Sequence, residues 1–393
     1  MSNSDNTKPI RENFLVFGCP RIEEAEIEEV VATLRSGWLG TGPKVAQFES
    51  DFAHYKNIDS SNVAAVNSCT AALHVSMIAA GLGPGDEVIT TALTFCATVN
   101  AIIHSGATPV LVDVVKDTMN IDPDSIENAI TPKTRAIVPV HFAGRPCDMD
   151  SIMDIAKRYD LKVIEDCAHA IESEYKGQKI GTLGDFGCFS FYVTKNIVTG
   201  EGGMVLAKKR KDIDRIKIIS LHGMTKDAWK RFSDLGHKHY KVIECGYKYN
   251  MMDLQAAIGI HQLKRVNSYW DIRQKIWQRY QQELSNLNVS LPADPAPNTR
   301  HAYHLYSILI DEKTCGINRD NFLDKMTTQN IGIGVHYLCI AEHPFYQNKY
   351  GWKPGDYPNA TRIGQQTVSL PLSAKLTNED VADVVEAVKS TVA

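Results

Sequence analysis

The chain has 393 residues, 44% hydrophobic and 22% charged, with a net charge of −4. It is longer than one hydrophobic core usually grows, so two domains are expected, and the balanced charge without a basic run excludes a nucleic-acid surface. Nine cysteines without a CxxC pair argue for reduced thiols and no metal, while the absence of an apolar leader core or of a run near the ~18 residues of a membrane span leads us to expect a cytoplasmic protein.

In chain order, a polar N-terminal segment (residues 1–20) precedes a helical spacing of Ile22, Ile27, Val30, Val31 and Leu34. The stretch Ser36-Gly-Trp-Leu-Gly-Thr-Gly-Pro43 interrupts it, with three glycines around Trp38 forming a loop that another backbone can approach. Short apolar runs then alternate with amphipathic segments. The runs are 63–66, 87–91, 108–114, 135–142, 162–166, 186–192 and 203–207, and the helical segments include 70–80, 94–105, 149–159 and 208–220. Such alternation predicts an α/β fold with a mostly parallel, mixed seven-stranded sheet covered on both faces. Residues 221–248 read as a polar, aromatic excursion. Apolar positions from Leu254 to Leu284 then predict one long helix that bends or bridges domains. After a proline-marked loop, 305–310 and 332–337 read as strands. Residues 319–329 and 378–388 read as helices, the latter capped by Thr377. The expected division is a large domain at 21–265 and a small α+β domain at 266–393.

Two runs end in chemistry. Lys162-Val-Ile-Glu-Asp166 closes on a carboxylate, and Phe186-Gly-Cys-Phe-Ser-Phe-Tyr192 leads into Lys195. Ligands of α/β proteins sit outside the carboxyl ends of strands. An acid and an amine delivered there match what pyridoxal phosphate needs: a Schiff-base lysine and a partner for the pyridine nitrogen. A lysine is ordinarily a solvated surface charge. The apolar flank before Lys195 and the Thr199-Gly-Glu-Gly-Gly203 loop after it favour a partly desolvated, nucleophilic amine instead. His169 could meet the ring's 3′-oxygen or its face, or be structural. Asn67-Ser-Cys-Thr-Ala-Ala72 marks a strand-to-helix junction suited to phosphate, though Ser or Thr there is also a common cap. Ser190 could add a hydroxyl, and Phe95 could stack on the ring or belong to the core. No G-x-G-x-x-G follows the first strand, which removes a dinucleotide site.

These motifs together resemble the nucleotide-sugar aminotransferase family of the DegT/StrS type. The match runs from Ser36–Pro43 to Leu370-Pro-Leu-Ser-Ala-Lys-Leu-Thr377. Between them lie Ser68-x-Thr-Ala-Ala-Leu-His74, Glu165-Asp-x-Ala-His-Ala170, Phe189-Ser-Phe-x-x-x-Lys-Asn196, Gly246-Tyr-Lys-Tyr-Asn250 and His301-Ala-Tyr-His-Leu-Tyr306. The resemblance implies a fold-type-I homodimer with sites shared between subunits. In it Lys195 would bond to pyridoxal phosphate, Asp166 would pair with the ring nitrogen, and His169 and Phe95 would contact the ring. Thr70, Ala71 and Ser190 would hold the phosphate, joined by Asn250 of the partner subunit. Gly37, Trp38, Leu39 and His336 resemble positions lining a sugar-nucleotide channel. L-glutamate is the implied amino donor, and a UDP-linked keto sugar the first choice of acceptor, with dTDP or GDP as alternatives. Many members have Pro where this chain has Val193. Others replace the lysine by His and become sugar dehydratases, a branch that Lys195 argues against. The lettering of Leu221–Trp229 and Gly246–Asn250 resembles members that aminate C4. C3 amination, lyase chemistry on the same fold and a non-catalytic cofactor-binding regulator are the rivals.

Overall fold

The computed structural model describes residues 9–225 and 240–392. Seven of its strands form the expected sheet. In chain order the strands begin β1 (Val63–Val66), β2 (Glu87–Thr91), β3 (Thr108–Val112), β4 (Thr134–Val138) and β5 (Lys162–Asp166). They continue with a short hairpin, β6 (Glu174–Tyr175) and β7 (Gln178–Lys179), then β8 (Phe186–Ser190) and β9 (Gly203–Ala207). The sheet order is β1-β9-β8-β5-β4-β2-β3. All neighbours are parallel except at β9, which runs against both β1 and β8. Helices α1 (Glu24–Ser36), α2 (Pro43–Lys56), α3 (Cys69–Ala79), α4 (Cys96–His104), α5 (Pro123–Asn128), α6 (Met149–Arg158) and α7 (Arg210–Ile219) supply the connections.

Strand side chains alternate between faces, and both faces are apolar. Val63, Ala65, Ile89, Ile137, Val163, Phe189 and Met204 pack with α2, α6 and the helix Asp253–Lys264. Their neighbours Ala64, Val66, Val88, Ala136, Val138, Ile164, Cys188 and Val205 pack with α3 and α7. A sheet buried on both sides explains why its strands read as continuous apolar runs.

The long helix divides at Arg265 into Asp253–Lys264 and Val266–Glu283. The proposed boundary between residues 265 and 266 coincides with that break. Beyond it a separate core joins Trp277 and Tyr280 to Phe322, Val384 and Val388 around a two-stranded sheet. That sheet corrects one expectation. Its strands are 306–309 and Thr367–Leu370, paired antiparallel, and the expected strand at 332–337 is not formed. Residues 332–337 form no strand: Gly334 makes one isolated bridge, with Ser369, and Gly332 lies against the backbone of Leu15 and Phe17. Thr377 does cap the last helix: its Oγ1 accepts from Asp380 N at 3.1 Å, and Asp380 accepts from Thr377 N in return. Of the expected excursion, residues 226–239 lie outside the described residues. Among the described residues no helix is long and apolar enough to cross a membrane.

Candidate active site

β1, β2, β4, β5 and β8 end on the same edge of the sheet, where the antiparallel β9 begins. A cavity of about 560 Å³ opens there, within the range of small-molecule sites. Five strand ends feed it: Ser68 and Thr70 after β1, Thr94 and Phe95 after β2, Val140 after β4, Asp166 and His169 from β5, Ser190 and Lys195 from β8. His336 and Tyr337, from the C-terminal part of the chain, also line it. Seven of the expected residues, Thr70, Phe95, Asp166, His169, Ser190, Lys195 and His336, thus share one cavity.

Each oxygen of the acid accepts one hydrogen bond from the protein. Asp166 Oδ2 accepts from Thr98 Oγ1 at 2.8 Å, and Oδ1 accepts from the Ala168 amide at 3.1 Å. Thr98, in the first turn of α4, meets the hydroxyl of Thr94, just before that helix, at 2.8 Å. Burial raises the Asp166 pKa, opposed by those two donors and by Lys195. The preceding Glu165 is spent on structure: it takes Nε2 of His141 at 3.1 Å and the amides of Gly181, Leu183 and Gly184. Cys147 N donates to His141 Nδ1, so the proton of that imidazole sits on Nε2, facing Glu165.

Lys195 sits half-buried in the cavity wall, in a turn closed by its own N–H to Tyr192 O at 2.9 Å. Desolvation lowers its pKa to about 8, against the pull of Cys69 and Asp166. A greater share of the amine is therefore neutral near physiological pH than for a surface lysine, as a nucleophile requires. His169 and His336 are both kept neutral by burial, His336 with its pKa lowered to about 4.

At the other end of the cavity α3 presents its N-terminus. Ser68 caps it, accepting from Ala71 N at 3.1 Å; Ala71 therefore stands in the first turn without lining the cavity. Gly203 makes the turn possible, because a Cβ there would fall 2.5 Å from the carbonyl of Ser68. A helix N-terminus with adjacent hydroxyls attracts an anion such as phosphate. Amine, carboxylate and anion cradle, spaced around one cavity, fit pyridoxal phosphate.

The remaining expected residues lie elsewhere on the chain. Trp38 and Leu39 are exposed, following Gly37 at the end of α1. Asn250 donates to Thr41 Oγ1 at 2.7 Å, and Trp38 Nε1 donates to Thr41 O at 3.1 Å. Trp38 and Asn250 are therefore joined through Thr41, with Gly37 and Leu39 flanking Trp38 in the chain. The indole needs Gly42, whose Cβ would strike Trp38 Nε1 at 1.8 Å. Sequence reasoning missed Thr98 and Tyr337. The four-residue spacing from Thr94 could have suggested the first; nothing beyond adjacency to His336 signals the second.

Residues 20–389 match the model of the DegT/DnrJ/EryC1/StrS aminotransferase family. The chain is 50% identical over 383 residues to an uncharacterised protein of Methanocaldococcus jannaschii, covering 98% of this chain and 99% of that one. It is 47% identical to the spore coat polysaccharide biosynthesis protein SpsC of Bacillus subtilis, covering 97% and 98%. Its fold superposes on a putative sugar aminotransferase of Streptococcus pneumoniae in its pyridoxal phosphate form, with a TM-score of 0.89, 34% identity and coverage of 96% and 98%.

Proposed function

The chain belongs to the DegT/DnrJ/EryC1/StrS aminotransferase family and is a pyridoxal-phosphate-dependent aminotransferase, and we propose that it moves the amino group of L-glutamate to C4 of a UDP-linked keto-deoxy sugar. The carrying observation is the meeting of Lys195, Asp166 and the α3 N-terminus at one cavity. The sugar is supported by the kinship to a polysaccharide biosynthesis protein and to a sugar aminotransferase. C4 and UDP rest on the lettering of 221–229 and 246–250.

When bound, pyridoxal phosphate supplies the electron sink for the exchange. Lys195 would hold it through its amine and, when free, would be the base placed to take the proton from the donor's Cα. Asp166 would keep the ring nitrogen protonated through its buried carboxylate, which Thr98 and the Ala168 amide hold in place. Thr70 and Ser190 would hold the phosphate, with Ala71 behind them in the capped first turn of α3, and Phe95 and His169 would border the ring. Asn250 and the Gly37–Leu39 loop act in the site of a partner subunit. The exposure of Trp38 and Leu39 and the linkage of Trp38 to Asn250 through Thr41 support that assignment.

The test is a reconstitution with pyridoxal phosphate, L-glutamate and a UDP-4-keto-6-deoxyhexose. Equal yields of 2-oxoglutarate and amino sugar are expected, with the nitrogen at C4 by NMR. Nitrogen at C3 would overturn the regiochemistry, and ammonia release without sustained donor consumption would favour lyase chemistry.

A further inference from the structure

The N-terminal segment ahead of α1 touches two residues that line the cavity, Thr194 and His336. Leu15 N donates to Asn330 O at 2.8 Å, and Gly332 N donates to Leu15 O at 2.8 Å. Two residues on, the Phe17 ring lies 5.5 Å from the His336 imidazole and 31° from parallel to it. Gly18, at φ +64°, sits against Thr194, the neighbour of Lys195: a Cβ there would fall 3.2 Å from Thr194 Cβ. Cys19 O then accepts from Ser373 Oγ at 3.0 Å. The backbone is thus anchored before and after Phe17. The two rings meet because position 334 is glycine, where a Cβ would fall 2.6 Å from His336 Cε1 and 3.3 Å from Phe17 Cε1.

His336 has one nitrogen committed and one available. Nδ1 lies 2.9 Å from Ser369 Oγ, and Nε2 meets no hydrogen-bond partner among the described residues. One hydrogen bond fixes a point of an imidazole but not the plane of its ring; an aromatic neighbour fixes the plane. We infer that Phe17 is a positioning residue for the acceptor: it holds the His336 imidazole so that Nε2 stays available in the cavity to a hydroxyl of the sugar. This rests on the proposed function, with His336 on the acceptor's side of the cavity. Phe17 itself lies ahead of the family match, which begins at residue 20. Its ring also keeps water from the imidazole, in line with the lowered pKa of His336, which burial depresses first and the charge of Lys195 second.

The first readout needs neither cofactor nor substrate. In the cofactor-free full chain with isotope-labelled histidine rings, the His336 NMR resonance is assigned by its loss in His336→Leu and followed from about pH 8 to about pH 5. In the parent and in Phe17→Tyr, which keeps the ring, it should stay near its neutral position, because the imidazole titrates at about 4. In Phe17→Ala water reaches the imidazole and the midpoint should rise by roughly one unit, so the resonance moves at the acid end. The second readout is kinetic. Phe17→Ala should raise KM for the UDP-4-keto-6-deoxyhexose roughly tenfold, the scale of one hydrogen bond, and KM for L-glutamate by much less. Both changes in Phe17→Ala, with neither in Phe17→Tyr, support the inference. An unmoved resonance or a parental KM for the sugar in Phe17→Ala would overturn it. If Phe17→Ala does not fold, Phe17→Leu, apolar but without the flat face, is read by the same two measures. A parental sugar KM in His336→Leu would take His336 out of the acceptor's site. Failure of the parent to aminate any keto sugar would remove the proposed function. Either of these results takes the inference with it.

Discussion

Asn196 donates through Nδ2 to Glu172 Oε2 at 2.8 Å, one residue beyond the lysine that faces the cavity. The same amide nitrogen donates to Ala302 O at 3.0 Å, and Oδ1 accepts from His304 Nδ1 at 2.9 Å. Glu172 turns its other oxygen to Arg273, from the helix after the break at Arg265. Glu172 and Arg273 are 0% and 2% exposed. Asn196 therefore pins the lysine turn to a buried ion pair that spans the proposed domain boundary.

Removing that pin should be felt in both stability and turnover. Asn196→Ala leaves Glu172 and His304 each short of a partner, at a cost of about 1–3 kcal/mol. Glu172→Gln strands a buried guanidinium and should cost more, about 3–5 kcal/mol. Urea unfolding checks the order. Asn196→Ala should also lower kcat by roughly 10- to 100-fold through misplacement of the amine. Parental stability and kcat in Asn196→Ala would show that Lys195 is held by its own turn alone.

The amine should report its surroundings through pH. Lys195 titrates at about 8 when folded, against 10.5 for an unperturbed lysine. Between those values the unfolded chain binds more protons, so the stability of the cofactor-free protein should rise with pH across that window. The buried Lys56, lowered to about 7, acts in the same sense. The readout is therefore the difference in slope between the parent and Lys195→Met. Capture of added pyridoxal phosphate, followed by stopped-flow absorbance, should quicken up to about pH 8 and then level off, since only the neutral amine attacks. A rate still rising steeply at pH 10 would mean that burial does not depress this lysine.

Asp166 depends on Thr98 for its aim. Thr98→Val keeps the shape of the side chain but withdraws the donor to Oδ2. The carboxylate pKa then rises further, since burial already raises it and Thr98 opposes that shift. A fall in kcat of roughly tenfold is expected, the scale of one hydrogen bond to a charged group, with little change in KM for the sugar. Asp166→Asn, which removes the charge, should cost more. A Thr98→Val enzyme with parental kcat would leave the hydroxyl a purely structural role.

The strands and the acid–amine pair were legible because each rests on local pattern. Apolar runs such as Val63–Val66 record burial on two faces, and Asp166 and Lys195 stand where two such runs stop. What escaped depends on partners distant in sequence. Thr367–Leu370 pairs with 306–309 across about sixty residues, and four residues carry little signal of their own. Tyr337 meets His169 from 168 positions away. A bend in the long helix was expected from its length, but its position at Arg265 was hidden because apolar spacing continues through it. Arg265 itself is drawn to Glu26 and Glu23 of the first helix region, contacts that no window of sequence contains.

The surface of Trp38, Thr41 and Asn250 yields the sharpest test of shared sites. Within its own chain Asn250 is bonded to Thr41 and to Lys248 Nζ, not to the cavity lining. If it serves the partner's cavity, Lys195→Ala and Asn250→Ala damage different halves of one site. In a dimer carrying one copy of each variant, both defects fall in the same site and the other site is whole. Random mixing makes half of the dimers mixed, each with one intact site, so activity should return to about a quarter of the parental level. Each variant alone should stay impaired. If Asn250 serves its own cavity, every site in the mixed dimer carries one defect and mixing restores nothing. Subunit exchange, verified by mass-tagged copies, makes the two outcomes distinct. Recovery near a quarter would make Asn250 an in-trans contributor, and its absence in verified mixed dimers would return Asn250 to a role in its own chain.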